Sequence, residues 1–138
     1  MALDIDLLRT SFNLVIEVNP NLTTRFYEIL FERYPQVRPL FGRNAQRAQE
    51  RMLAEALMAV VDHLEDPAWL NQQLGALGAK HQGYGVTAEM YDWVGDALLS
   101  TLAETAGSAW TSAHHAAWAE AYGAIVGLMR GGEAQAAE

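Results

Sequence analysis

The 138-residue sequence contains no cysteine. Disulfide bonds, thiolate metal sites, catalytic thiols and CxxCH attachment of a cofactor are therefore excluded. The lack of disulfides is consistent with a reducing compartment. Residues that favour strands are also scarce, because Val and Ile together number 12 against 40 for Ala and Leu. Unbranched side chains lose little rotamer freedom in a helix, so this balance favours helices.

Long apolar runs and targeting signals are missing as well. The longest apolar run, Ala56–Val61, is too short to cross a bilayer. The N-terminus, MALDIDLLRT, carries two aspartates and no basic region, so it is not a secretory signal. With 51% hydrophobic and 19% charged residues, the composition excludes intrinsic disorder. We therefore expect a folded cytoplasmic protein without a membrane span.

Basic residues are few and unevenly placed. There are nine against 17 acidic ones, giving a net charge of −8, which argues against nucleic-acid binding. Up to Arg51 there are seven basic and six acidic residues, whereas the rest of the chain has two and 11. An acidic partner would be steered to the first third of the chain. The alternative is a solvated acidic surface that only aids solubility.

The apolar periodicity is helical throughout, and no segment shows sustained strand alternation. Proline, glycine and capping residues separate the helical patterns. The predicted starts are Asp4, Asn19-Pro20 with Asn as N-cap, Asp66-Pro67, Thr87 and Thr111 or Ser112, and the last helix is predicted to end at Gly131-Gly132. Helices of such unequal length favour large crossing angles around a central pocket. The sequence predicts an all-α domain of six or seven helices over residues 1–130, with a tail at 131–138 that ends or extends the last helix.

Several polar residues fall on apolar helix faces. His81 continues the stripe of Leu74 and Leu77, and Gln49, Tyr27 and Tyr91 lie on inner faces of other helices. Each alone could be a hydrogen-bonded core residue. Because an unsatisfied buried polar group costs about 1–3 kcal/mol, a shared ligand is the more economical interpretation of the set.

Other candidate chemistry is weak. His114-His115 are adjacent on a helix and point about 100° apart, which disfavours chelation. His63, between acidic residues near a helix end, is interpreted as solvated. HExxH, ExxH and GxSxG motifs and a phosphate-binding glycine loop are all absent.

Three segments together resemble the bacterial globins. They are FYEILFERYPQVRPLF at 26–41, LGAKHQGYGV at 77–86 and YDWVGDALL at 91–99. They are similar to the globin domain of flavohaemoglobins and to single-domain haemoglobins of the Vitreoscilla type, and the resemblance extends from Ile5 to about Met129. It implies a globin fold, three helices layered over three, around a noncovalently bound haem b.

The resemblance also implies roles for individual residues around the haem. His81 matches the proximal axial ligand and Phe41 the phenylalanine that stacks on the porphyrin. Tyr27 and Gln49 match the distal tyrosine and glutamine. Gln46 is a rival for the distal position, because the stretch between Phe41 and Gln49 is shortened against the family.

Further matches concern the walls of the pocket and the proximal side. Leu53 and Val94 match apolar haem contacts. Lys80 matches a residue near the propionates, for which Arg43, Arg47 and Arg51 are weaker candidates. Tyr91 and Glu133 match a pair that holds the proximal histidine and gives it anionic character. The two glycines before Glu133 leave it an open question whether that side chain reaches the histidine.

The two main hypotheses for the function are a ligand carrier and an enzyme. The leading hypothesis is reversible binding of O2, with NO and CO as further ligands, for oxygen transport or delivery by a monomer or homodimer. The alternative is an NO dioxygenase or a peroxidase-like haem enzyme that needs an external flavin reductase, because the sequence shows no flavin or nicotinamide site. A third hypothesis, a helical interaction or sensor module without haem, leaves His81 as a core residue.

Overall fold

The computed structural model of the chain describes residues 4–41, 46–83 and 86–137, and for residues 46 and 132–137 only their backbone. These ranges contain no strand, which confirms the predicted all-α class. Their α-helices are α1 (Ile5–Val18), α2 (Leu22–Arg33), α3 (Gln46–Asp62), α4 (Pro67–Gly83), α5 (Ala88–Ala106) and α6 (Ser112–Ala137). Short 3₁₀ segments lie at Pro35–Phe41 and Gly107–Ala109. None of the helices so described is long and apolar enough to cross a membrane.

Most predicted helix boundaries are confirmed by caps. Asp4 Oδ1 accepts a hydrogen bond from the Leu7 amide at 3.1 Å, and Asp66 Oδ1 accepts one from the Trp69 amide at 3.1 Å. These bonds satisfy amide groups that have no partner within the first turn of a helix. Thr87 is the N-cap of α5, whose C-cap is Gly107 with a φ of 59°.

Two predicted boundaries are wrong. The predicted Asn19 cap of α2 is instead the C-cap of α1, and α2 begins at Leu22 after Asn21. The Asn19 side chain accepts from the Asn21 amide at 3.0 Å, so it stabilises the turn between the helices. The predicted end of α6 at Gly131-Gly132 is also wrong, because α6 continues to Ala137, in agreement with the alternative in which the tail extends the last helix. The alanine-rich sequence after these glycines favours helix strongly enough to offset their poor propensity.

His63 is not solvated as predicted. It is half-buried at the corner between α3 and α4, where its ring stacks on Trp69 with centroids 3.8 Å apart and planes 8° from parallel. Its Nδ1 lies 2.8 Å from the Ala59 carbonyl oxygen. The turn between the two helices brings the residues together, so local sequence around His63 alone does not reveal the stack.

The apolar side chains form two clusters. The larger, here called the main core, joins α1, α2, α3, α5 and α6, and its largest fully buried apolar side chains are Leu8, Val15, Leu22, Leu30 and Leu102. The smaller, here called the second core, has Leu74, Tyr91 and Met129 as its buried members and joins α4, α5 and α6. A domain usually has one continuous core, so the division of the apolar side chains into two clusters directs attention to the region between them.

Candidate functional site

The boundary between the two cores crosses α3 and α5. On α3, Leu57 packs against the main core, whereas Val60, three residues later, packs against the second core. On α5, Val94 belongs with the main core and Tyr91 with the second. Each of these two helices therefore contacts both clusters, through different positions around its axis.

The side chains on either side of this boundary are apolar but only half-buried by the protein's own atoms. They come from the first 3₁₀ segment, from α3, α4 and α5, and from the connection just before α5. They are Phe41, Leu53, Leu57, Val60, Leu77, Val86 and Val94. The buried members of the main core, by contrast, are nearly inaccessible to solvent. This apolar boundary is the candidate site, since ligand pockets are mostly apolar with a few polar groups.

His81 is placed by α4 on the second-core side of the boundary. It is half-buried and lies one turn after Leu77. Its Nδ1 lies 2.8 Å from the Leu77 carbonyl oxygen. A carbonyl can only accept, so this contact assigns the proton to Nδ1 and the lone pair to Nε2 in the neutral ring. A neutral imidazole with a fixed orientation and a lone pair on Nε2 is the usual form of a metal-binding histidine.

Tyr27 and Phe41 lie together on the main-core side. Their ring centroids are 5.5 Å apart in an edge-to-face arrangement, and Phe31 contacts both rings at 5.7 and 5.5 Å. Tyr27 is 5% exposed. Its hydroxyl oxygen lies 3.5 Å from the Gln49 carbonyl oxygen, a contact longer than a usual O–H···O hydrogen bond. The hydroxyl is therefore buried with a weak protein partner.

Burial raises the pKa of Tyr27 to about 12, and the nearby Glu50 carboxylate adds to the effect. The Glu50 side chain is held in place by Thr24, whose hydroxyl donates to Glu50 Oε1 at 2.6 Å. Tyr27 is consequently protonated at neutral pH. Its hydroxyl can act as a hydrogen-bond donor inside an apolar surrounding.

The same pKa predicts an alkaline loss of stability that depends on Tyr27. The pKa of tyrosine rises on folding, from 10.0 to about 12, so the stabilisation is complete below pH 10 and is lost as pH rises to about 12. Two pKa units correspond to about 2–3 kcal/mol. We expect the free energy of unfolding, measured with urea, to fall as pH rises from 10 to about 12 in both proteins. The fall should be smaller by about that amount in Tyr27→Phe than in wild type. Identical pH dependence of the two proteins would contradict the assignment.

Tyr91 is buried in the second core, and its backbone is held by Tyr122. The Tyr122 hydroxyl donates to the Tyr91 carbonyl oxygen at 2.5 Å. The Tyr122 ring lies so close to α5 that a Cβ on Gly95 would be 2.6 Å from its Cε2 atom. Sequence reasoning missed this supporting role of Tyr122, because the contact joins residues 31 positions apart.

The remaining predicted site residues differ in where the structure places them. Leu53 and Val94 lie at the apolar boundary, and Gln49 contacts Tyr27 through its backbone carbonyl. Lys80, Arg47 and Arg51 are exposed. The side chains of Glu133 and Gln46 and the whole of Arg43 lie outside the described residues, so their roles stay predictions.

Sequence reasoning assigned no role at the site to Phe31 or Gly78. Phe31 follows Tyr27 by four residues, and that helical spacing is the signal that could have found it. Gly78 lies where α4 meets α6, and a Cβ added there would be 1.9 Å from the Met129 carbonyl oxygen. Within the described ranges, no group of three or more His, Asp and Glu residues could hold a metal ion. His81 is therefore the site's candidate ligand as a single histidine.

Comparison with known proteins identifies relatives along most of the chain. The profile of the Globin family matches residues 24–129. A flavohemoprotein of Bordetella pertussis is 38% identical over 114 residues, which are 81% of this chain and 28% of that protein. The chain thus spans just over a quarter of the length of that curated relative.

Two solved structures have the same architecture. An engineered carbene transferase, described as a nitric oxide dioxygenase of Rhodothermus marinus, matches with a TM-score of 0.82 and 30% identity over 95% of this chain and 91% of that one. A bacterial globin from Campylobacter jejuni matches with a TM-score of 0.80 and 26% identity over 95% and 94% of the two chains. These matches confirm the predicted fold class.

Proposed function

This chain belongs to the globin family, and from that premise we propose that it holds haem b noncovalently through His81 and binds O2 reversibly. Haem binding and gaseous ligands follow from the family itself. The type of haem, the ligating residue and the physiological ligand are our proposal. The observation that carries it is the contact of His81 Nδ1 with the Leu77 carbonyl oxygen, 2.8 Å long, which leaves the lone pair on Nε2.

The residues at the boundary between the two cores fit a flat apolar macrocycle. The half-buried Leu, Val and Phe side chains offer apolar walls from several helices, and a face of that kind suits burial of a porphyrin. The donor set also fits, because haem iron takes a single neutral imidazole from the protein in this family. When bound, haem would supply an iron able to take up a diatomic gas.

The chain's own groups then have separable tasks. The Leu77 carbonyl orients the His81 ring and fixes its tautomer. Phe41 and Leu53 exclude water from the opposite side of the site. The Tyr27 hydroxyl is protonated and weakly bound to Gln49, so it can donate to a gas that acquires negative charge on binding. Such donation favours O2 over the less polar CO.

A direct test of the proposal is the rate of O2 dissociation from haem-loaded protein after reduction. A hydrogen bond to a charged acceptor contributes about 1.5–3 kcal/mol, so Tyr27→Phe should speed O2 dissociation about tenfold or more. CO dissociation should change little. The control is Tyr34→Phe, which removes a half-buried tyrosine hydroxyl bonded to Asp96 at 3.0 Å, and it should leave both rates unchanged. Equal effects on O2 and CO would show that Tyr27 is not the donor.

NO dioxygenation is the second candidate, because the Rhodothermus marinus neighbour is described as a nitric oxide dioxygenase. Activity of this class also requires electrons from a flavin reductase. Nitrate formation from NO in the presence of an added reductase separates the enzyme from the carrier. A peroxidase-like activity depends on Glu133 and stays a prediction.

A further inference from the structure

A hydrogen bond joins α2 to α3 beside Tyr27. The Thr24 hydroxyl donates to Glu50 Oε1 at 2.6 Å. Thr24 lies three residues before Tyr27 on α2, so the two side chains are neighbours on one face of that helix. On α3, the carbonyl oxygen that lies 3.5 Å from the Tyr27 hydroxyl belongs to Gln49, the residue before Glu50. Contacts with both helices therefore place the Glu50 carboxylate near the Tyr27 hydroxyl.

The charge of this carboxylate is positioned but not neutralised. Glu50 is half-buried, whereas the cations nearest to it in sequence, Arg47 and Arg51, are exposed. Among the residues whose side chains the structure describes, no ion pair includes Glu50. The Thr24 hydroxyl can donate a hydrogen bond but carries no charge. A fixed negative charge therefore lies beside the buried hydroxyl of Tyr27.

The surroundings of this charge on the side of the site are apolar. Leu53 lies one turn after Glu50 on α3 and packs against the main core. The Phe41 ring contacts the Tyr27 ring with centroids 5.5 Å apart. Apolar groups screen a charge less than water does, so the field of the carboxylate extends further into the site than into solvent. The raised pKa of Tyr27, caused by burial and then by Glu50, agrees with this arrangement.

We propose that Glu50 is a specificity-determining residue, whose carboxylate makes the site favour neutral ligands over anions. The proposal rests on the proposed haem function, because it places the ligand beside Tyr27. A buried hydroxyl donor alone would also stabilise an anion by hydrogen bonding. The neighbouring carboxylate offsets this attraction by repelling a ligand that arrives with negative charge, whereas an uncharged gas is not repelled. Thr24 is a positioning residue, since it acts by holding Glu50.

The test is azide binding to the ferric, haem-loaded full chain at neutral pH, followed by the Soret band. Glu50→Gln keeps an oxygen that can accept from Thr24 but removes the charge. We expect it to raise azide affinity about five- to tenfold, because repulsion between like charges at a partly buried site is lost. CO affinity of the reduced protein should change by less than about twofold, since CO is uncharged. An unchanged ratio of azide to CO affinity would overturn the proposal.

The matched control is Glu55→Gln. Glu55 lies on the same helix and its replacement changes net charge by the same amount, but its side chain is exposed. Solvent screens an exposed charge, so azide affinity should stay within about twofold of wild type. If Glu55→Gln raised azide affinity as much as Glu50→Gln, net charge alone would explain the effect and the proposal would be wrong.

The role of Thr24 is tested by Thr24→Val, which removes the hydroxyl and keeps the shape of the side chain. The carboxylate is then no longer held at its place, so azide affinity should rise, by less than in Glu50→Gln. In the Glu50→Gln background the same change should have no further effect, because Thr24 acts through the charge of Glu50. An equal rise in both backgrounds would show that Thr24 acts independently of Glu50.

A measurement on the haem-free protein separates this proposal from the proposed function. NMR of isotope-labelled tyrosine follows the ionisation of Tyr27, and Tyr27→Phe identifies its signal. The pKa of Tyr27 should fall in Glu50→Gln and not in Glu55→Gln, because one of the two causes that raise it is removed. An unchanged pKa would refute the placement of the charge. This fall in a protein that retains no haem would confirm the placement and refute the proposed function.

Discussion

The His81→Ala variant is expected to fold but to lose haem, and added imidazole is expected to restore it. Removing groups that merely orient a metal ligand lowers affinity about 10–100-fold, so removing the ligand itself should cost on the order of 100-fold or more. The measurement is the rate of haem transfer to excess apomyoglobin, followed by the Soret band. His115→Ala, at an exposed position of α6, is the control and should behave as wild type.

The same variant also tests whether His81 is a haem ligand or only a core residue. His81 is only half-buried, so its removal should change the unfolding free energy of the haem-free protein by less than about 1 kcal/mol. The haem-loaded protein should lose much more, because a ligand that binds only the folded state stabilises it in proportion to its affinity. Unchanged haem retention, with destabilisation of the haem-free form, would instead make His81 a core residue.

The second large effect is expected from Gly78→Ala. The new Cβ would lie 1.9 Å from the Met129 carbonyl oxygen and 2.4 Å from its carbon. Both neighbours are backbone atoms, so α4 and α6 must separate by more than 1 Å to accept the methyl group. We expect a loss of about 3 kcal/mol or more in urea unfolding, at the upper end of overpacking effects. Haem retention should fall as well, because Gly78 lies one turn before His81 on α4.

Matched controls are available on the opposing helix. Cβ atoms at Gly123 and Gly127 of α6 would have no heavy atom within 4 Å. Alanine at either position should stabilise the protein by about 0.5–1 kcal/mol, since alanine has the higher helix propensity. If Gly78→Ala were also neutral or stabilising, the close approach of α4 to α6 would be wrong.

Local pattern was enough to predict much of the fold and of the site. The helical spacing of Leu8, Phe12 and Val15 predicts that they share one inward face of α1, and the structure buries all three. Capping chemistry located the starts of α4 and α5. Tyr27 was predicted to point inward from a periodic stripe, and it does. These predictions succeed because each depends on residues within one or two turns of each other.

Contacts between distant elements could not be predicted in this way. Nothing near Gly78 in the sequence indicates that Met129 will lie against it, and nothing near Tyr91 indicates the bond from Tyr122. Asn19 shows a second limit, because its side chain can stabilise a turn or cap a helix. Which of the two occurs depends on how α1 and α2 pack.

The separation of the two cores has a consequence for how the protein acquires its prosthetic group. The second core has three buried residues, and α4 is held chiefly by α6. Such a small unit can open locally while the main core stays folded, in the manner of an independent foldon. Under the proposed function, such a local opening of α4, the helix that carries His81, would offer haem a way into the site without global unfolding.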